Sequence, residues 1–234
     1  SVTHYLSPEE QGYYYAMLGL AALYMFFDMG LSTILVNLSA KEFVGLHFGS
    51  RGKVIGENRE SFLSLTHSAL YWYVLTAIAF LLMTSIATYF LAGLVHSGSI
   101  DWKIPWTLLI FMTTANLIIT AFSSISEGTG RLIEVYTLRT IQALGGGVCT
   151  WFALAHGKAL YAVAMPMLFS VAIGSSWVIL RHLETIKDSL KHSRKIFPWN
   201  SLVWPLQVRT ISSFLTGYTL VTGLAPLMLW TQGP

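Results

Sequence analysis

Long apolar stretches alternate with short polar segments along this chain. Each of four stretches is long enough for one membrane span: 13–40, 62–94, 104–126 and 159–180. An α-helix rises 1.5 Å per residue, so about 20 apolar residues cross a hydrocarbon core of about 30 Å. A further helix is expected to begin near Leu132. The pattern predicts an all-α, polytopic transmembrane helical bundle with about six spans.

The last predicted span lies in 204–234, and its final 25 residues, 210–234, carry no charge. Five of its small or polar positions recur at spacings of three and four residues: Arg209, Ser212, Thr216, Thr219 and Gly223. These spacings place the five positions on one face of a helix. A polar stripe headed by an arginine is expected to face protein or water rather than lipid. We therefore predict Arg209, Ser212 and Thr216 as residues that line a cavity.

The composition excludes an ordinary soluble domain. Hydrophobic residues make up 54% of the chain and charged residues 11%, whereas soluble domains carry about 25% charged residues. The positions of the basic residues also predict an orientation. Of the 14 lysines and arginines, 12 lie on one side of the predicted spans and two, Lys103 and Lys158, on the other. The positive-inside rule places the basic side in the cytoplasm, which predicts a multi-pass membrane protein with cytoplasmic basic loops.

The polar segments carry recognisable helix starts and turns. Ser7 and Glu10 have the spacing of a capping box, and the glycines of the 41–60 connection are expected to form turns. The glycines at 145–147 permit either a close helix approach or a bend. The basic segment 181–199 has an apolar side and predicts an amphipathic surface helix.

Two predicted spans contain residues that are expensive to place in a membrane. Asp28 is the only acid within a span, and it shares a helix face with Ser32. It has either a transport role or a structural role inside the bundle. Arg139 and Gln142 share a face of the helix that begins near Leu132. Arg139 and Arg209 each offer a planar set of donors that suits phosphate, or they extend towards lipid headgroups instead.

Other chemistry is not indicated. The seven histidines and the single Cys149 form no metal-ligand motif, so no metal and no cofactor are expected. Motifs for nucleophilic catalysis or phosphate-binding loops are also missing, and the protein is not expected to be an enzyme. Glu127 and Glu134 are close enough in sequence to pair with Arg131. The basic residues are dispersed over membrane-proximal segments, which argues against nucleic acid as a partner.

Several segments resemble one transporter family. Trp204-Pro205-x-Gln207, Ser212-Ser213, Gly217-Tyr218, Pro226 and Gln232-Gly233-Pro234 are similar to the seventh span of Wzx-type polysaccharide (O-antigen) flippases. These proteins belong to the multidrug/oligosaccharidyl-lipid/polysaccharide exporter superfamily. The LSPEEQGYYYAM and FDMGLS segments resemble the family's second span, and EGTGRLIEVYTLRTIQAL resembles the loop into its fifth span.

The resemblance implies a fold and a function. The chain would cover about spans two to seven, as a fragment of a two-lobed transporter of the bacterial cytoplasmic membrane. Residues 1–183 would form the first lobe without its first span, 184–203 a basic cytoplasmic linker, and 204–234 the first span of the second lobe. The substrate would be a polyprenyl-pyrophosphate-linked oligosaccharide, moved by alternating access during lipopolysaccharide or other polysaccharide biosynthesis. Its candidate binding residues are Asp28, Arg139, Gln142, Arg209, Ser212 and Thr216. Membrane lipids and other polysaccharide-assembly proteins are the expected partners.

Two alternatives stay open. The nearest is a drug/cation antiporter of the same superfamily. A membrane polysaccharide polymerase or ligase is the other, although such an enzyme calls for a large outer loop rich in arginine, acids or histidine. The loops predicted to face outward are short and hold two basic residues.

Overall fold

The computed structural model describes residues 6–94, 101–158, 160–192 and 197–212. These residues form an all-α bundle with one small β-hairpin. The helices are α1 (Pro8–Ala22), α2 (Tyr24–Asp28), α3 (Leu31–Glu42), α4 (Arg59–Leu94), α5 (Lys103–Gly128), α6 (Leu132–Ala155) and α7 (Tyr161–His192), followed by helical residues 199–212, here α8. The hairpin pairs β1 (His47–Phe48) antiparallel with β2 (Val54–Ile55).

Within the described residues, four segments are long and apolar enough to cross a membrane: Pro8–Glu42, Arg59–Tyr89, Lys103–Gly128 and Tyr161–Lys191. They indicate a membrane-embedded protein, as the sequence predicted. The count of about six spans is not confirmed. Helix α6 has 24 residues but is not among the four, because Glu134, Arg139, Gln142 and three glycines dilute its apolar character. Most of the span predicted in 204–234, including Thr216, lies outside the described residues.

The first predicted span is not one helix. The capping box is confirmed, because the Ser7 and Glu10 side chains each accept a hydrogen bond from the other residue's backbone N–H. Helix α2 ends at Asp28, and the next two residues, Met29 (φ 44°) and Gly30 (φ 72°), adopt the left-handed conformation. A left-handed methionine is uncommon, so this break is a specific feature of the chain. It leaves Asp28 at the end of α2, beside the first turn of α3.

Helix α7 is longer than the sequence predicted. We expected its span to end near residue 180 and a separate surface helix to follow, but α7 continues to His192. The reason is that one face of the extension is buried: His182, Thr185 and Ser189 are each at most 1% exposed. The predicted linker, 184–203, therefore begins inside α7.

The close approach of α6 and α7 depends on glycine. A Cβ atom at Gly145 would lie 2.1 Å from the ring of Phe169, and one at Gly146 would lie 3.2 Å from Pro166. Larger residues at these positions would push the two helices apart. Of the two roles expected for the glycines at 145–147, the structure supports close packing.

The connections 41–60 and 128–132 meet the last part of α7, residues 181–192, at one end of the bundle. We call this end the basic end. Gly45, Gly52 and Gly56 have positive φ and make the turns of the 41–60 connection, as expected. Gly52 also touches α7, since a Cβ atom there would lie 2.0 Å from the carbonyl oxygen of Arg181. The Thr185 hydroxyl donates to the carbonyl oxygen of Gly52. The hairpin is therefore held against the extension of α7.

Candidate functional site

A polar pocket lies among α3, α5 and α6, near the basic end of the bundle. Its volume is about 270 Å³, and it is lined by Ser32, Thr33, Val36, Asn37, Ser124, Glu127 and Arg139. Six of these seven side chains are polar, although the helices that carry them are mostly apolar. Gly128 lets α5 approach α3 closely beside the pocket, because a Cβ atom there would lie 2.2 Å from the carbonyl oxygen of Val36.

An ion pair forms one wall of this pocket. The Nη2 atom of Arg139 donates to Oε2 of Glu127 at 2.8 Å, and the Tyr136 hydroxyl donates to Oε1 of the same carboxylate at 3.3 Å. The Arg139 side chain is 46% exposed and that of Glu127 is 18% exposed. The expectation that Glu127 pairs with Arg131 was wrong. Arg139 reaches the carboxylate because α6 folds back beside the end of α5.

Asp28 does not line the pocket, but it bonds to Ser32, which does. Its carboxylate accepts a hydrogen bond from the Ser32 hydroxyl at 2.7 Å and another from the Tyr73 hydroxyl at 2.6 Å. The contact with Ser32 agrees with the face that these residues share in sequence. Tyr73 was not anticipated, because it lies 45 residues away on α4. No sequence signal singles out Tyr73, because the same uncharged span contains other hydroxyl-bearing residues such as Thr76 and Thr84.

Gln142 does not line the pocket. Its Nε2 atom donates to the carbonyl oxygen of Ser170 at 2.9 Å, and a Cβ atom at Gly174 would lie 3.1 Å from the same nitrogen. The side chain thus joins α6 to α7 on the other side of the helix. The observed contact of Gln142 is therefore a structural hydrogen bond between two helices.

The residues predicted in the last span are not brought to the pocket. Arg209 and Ser212 are exposed on α8, and the Ser212 hydroxyl donates to the carbonyl oxygen of Val208 at 3.1 Å. Thr216 lies outside the described residues. The sequence-predicted set therefore divides into Arg139 in the pocket lining, Asp28 bonded to the lining residue Ser32, Gln142 between helices, and Arg209 and Ser212 on α8.

The pocket offers contacts to an anion or a polar headgroup. A guanidinium has five N–H donors, and Glu127 is the one hydrogen-bond acceptor of Arg139 within the described part of the chain. Hydroxyl and amide groups of Ser32, Asn37 and Ser124 complete the lining. Across the same described ranges, no three or more His, Cys, Asp or Glu side chains are grouped to hold a metal ion.

Comparisons with known proteins do not extend this description: no protein-family model, no curated protein and no solved structure matches the chain.

Proposed function

We propose that this chain belongs to a membrane transporter that moves a lipid-linked, phosphate-bearing substrate across the bacterial cytoplasmic membrane. The substrate class that suits it best is a polyprenyl-pyrophosphate-linked oligosaccharide, translocated by alternating access in polysaccharide biosynthesis. One observation carries the proposal: a partly exposed arginine faces a polar pocket inside an apolar helix bundle.

The depth of Arg139 supports a functional role for it. The residue lies seven positions into α6, about 10 Å from the start of the helix. Charged side chains within an apolar helix bundle usually face a cavity or a partner. Arg139 has both, because it pairs with Glu127 and lines the pocket. A planar guanidinium also matches the oxygens of a phosphate better than a lysine would.

The size of the pocket narrows the part of the substrate that it would hold. Pockets for drug-sized ligands usually measure about 300–1,000 Å³, and this one is about 270 Å³. A phosphate group fits such a volume, whereas an oligosaccharide does not. In the proposed transporter the pocket therefore receives the phosphate of the substrate. The saccharide would occupy space between this lobe and a second one.

Asp28 favours a second candidate, a drug/cation antiporter. A half-buried carboxylate at a helix break is a suitable ligand for a cation, and its two hydrogen bonds would hold it in place. The two functions differ in which residue contacts the transported molecule. The flippase requires Arg139, whereas the antiporter requires Asp28 and tolerates loss of Arg139.

The experiment replaces Arg139 in the natural gene and measures surface polysaccharide in the host strain that lacks this gene. Arg139→Ala should abolish most of the export, and Arg139→Lys should retain part of it, because charge survives without the planar geometry. Lys187→Ala is the matched control, since Lys187 is an exposed cation whose ion pair with Glu184 lies outside the pocket. Full export by Arg139→Ala at normal protein abundance would refute the flippase.

A further inference from the structure

A second charged cluster lies at the basic end, away from the pocket. One carboxylate oxygen, Oε2 of Glu134, lies between two guanidinium groups. It is 4.0 Å from Nη1 of Arg131 and 3.7 Å from Nε of Arg181. Both distances exceed those of a hydrogen bond. The cluster therefore holds two positive charges and one negative charge. The carboxylate of Glu134 forms long ion pairs with both arginines and hydrogen-bonds to neither.

The arginine on the inner side of this cluster is held in place before any ligand arrives. The Arg131 side chain is 18% exposed, and its Cζ atom lies 3.9 Å from the centroid of the Phe48 ring. Phe48 is itself stacked on Phe43 at 4.5 Å. Burial and the charge of Arg181 lower the pKa of Arg131, against the opposing effect of Glu134. Arginine remains charged in proteins, so the cluster keeps its excess positive charge.

Two atoms of the cluster lack the hydrogen bonds that buried polar groups normally make. Nη1 of Arg131 and Oε2 of Glu134 are both buried, and neither has a hydrogen-bond partner among the described residues. Buried polar atoms without partners are rare in folded proteins and call for an explanation. Arg131 also precedes the first turn of α6, which no side chain caps. The uncapped helix start adds partial positive charge to that of the arginines.

The surroundings of the cluster indicate the kind of molecule that suits its most exposed cation, the Arg181 guanidinium, whose side chain is 56% exposed. Ile133 is 85% exposed and Leu180 is 72% exposed, and each adjoins a member of the cluster in sequence. Exposed large apolar side chains are suited to lipid tails, and neighbouring arginines are suited to headgroup phosphates. A soluble anion would gain nothing from the apolar residues.

We propose that Arg131 and Arg181 bind the phosphate of an anionic phospholipid headgroup, with Glu134 as the resident counter-charge. The lipid would belong to the leaflet on the basic side, which the charge distribution predicts to be cytoplasmic. The bound lipid would link the turn between α5 and α6, through Arg131, to α7, through Arg181. The hairpin joins them because Phe48 packs against Arg131. This lipid acts as a structural ligand and does not depend on the proposed transport function.

The test uses the full natural protein, purified and placed in nanodiscs of phosphatidylcholine or of phosphatidylcholine with phosphatidylglycerol. Phosphatidylglycerol should raise the midpoint of thermal unfolding, and Arg181→Gln should remove most of that increase. Lys187→Gln is a close control, because Lys187 lies on the same helix and its side chain is 53% exposed, against 56% for Arg181. In a titration with fluorescent phosphatidylglycerol, Arg181→Gln should lower the affinity by about tenfold.

Glu134→Gln provides a change in the opposite direction. Without the competing carboxylate, affinity for phosphatidylglycerol should rise. This variant also guards against misfolding as an explanation, because a damaged protein would not bind more tightly. An equal effect of both lipid mixtures, or an unchanged response in Arg181→Gln, would overturn the proposal. Inorganic phosphate that reproduces the stabilisation in phosphatidylcholine would also overturn it, in favour of a soluble anion.

Discussion

Glu127 and Glu134 lie on either side of the turn that joins α5 to α6, yet their surroundings differ. Glu127 receives hydrogen bonds from Arg139 at 2.8 Å and Tyr136 at 3.3 Å, so its charge is matched by one arginine. Glu134 lies 3.7–4.0 Å from two arginines and bonds to neither. The first carboxylate closes the wall of a polar pocket. The second leaves a surplus of positive charge beside exposed apolar residues.

The difference shows that local sequence does not decide the role of a charged residue here. Both glutamates and Arg131 fall within one short segment, and helical spacing alone allowed either glutamate to pair with Arg131. The outcome depends on residues brought in by the fold. Arg139 reaches Glu127 from two turns along α6, and Arg181 reaches Glu134 from α7.

The largest effects should come from the glycines that hold each region together. Gly128→Ala should separate α3 from α5 beside Glu127, and Gly52→Ala should separate the hairpin from α7 beside Glu134. A Cβ atom at either position would overlap a backbone oxygen, at 2.2 Å and 2.0 Å. We expect each change to lower the free energy of unfolding by about 3 kcal/mol. Denaturant titration in detergent measures the loss.

The two glycine variants should also differ in what they damage. Gly128→Ala should impair transport while leaving the response to phosphatidylglycerol intact, and Gly52→Ala should remove that response. Gly147→Ala is the control, because a Cβ atom there would meet no described residue within 4 Å. Identical defects in both variants would mean that the pocket and the arginine cluster are one cooperative unit.

The next effect in size compares the two carboxylates directly. Glu127→Ala should lower the free energy of unfolding by about 1–2 kcal/mol, because it removes two hydrogen bonds and leaves Arg139 unpaired. Glu134→Ala should change it by less than about 0.5 kcal/mol, since its ion pairs are long and partly exposed. Equal losses in the two variants, measured by the same titration, would show that the distances misrepresent the strengths of these contacts.

The smallest effects concern the tyrosine hydroxyls. Tyr73→Phe removes a buried hydrogen bond to Asp28 and should lower the free energy of unfolding by about 1 kcal/mol. Tyr136→Phe removes a longer, exposed hydrogen bond to Glu127, and its loss should stay below about 0.5 kcal/mol. Both changes preserve the ring. A larger loss for Tyr136→Phe would show that the hydrogen bond to Glu127 stabilises the fold more than the hydrogen bond to Asp28.

The sequence predicted the helices better than the site. Hydrophobic runs placed α4 and α5 within a few residues of their ends, because a membrane span must be long and uncharged. The helix break after Asp28 was not predicted, because methionine rarely adopts the left-handed conformation that Met29 has here. The length of α7 was missed too, because charged residues around 181–192 hid a face that packs against the hairpin.

Among the site residues, sequence reasoning identified Asp28 and Arg139 because charge is rare within spans. It could not supply their partners. Tyr73 and Glu127 come from other helices, and their contacts depend on how those helices pack. Helical spacing also grouped Gln142 with Arg139, but the close approach of α6 and α7 directs Gln142 to Ser170 instead.

The central claim is that Arg139 binds substrate phosphate in the pocket and is more than a partner for Glu127. The most direct measurement combines Arg139→Gln with Glu127→Gln in the natural gene and follows polysaccharide export in the host strain that lacks this gene. Two amides can still hydrogen-bond to each other, so abundance and stability should stay close to those of the parent. Glu127→Gln alone should still export. We predict that the double variant is stable and does not export. A double variant that exports as well as the parent would contradict the account, because the pair would then be structural only.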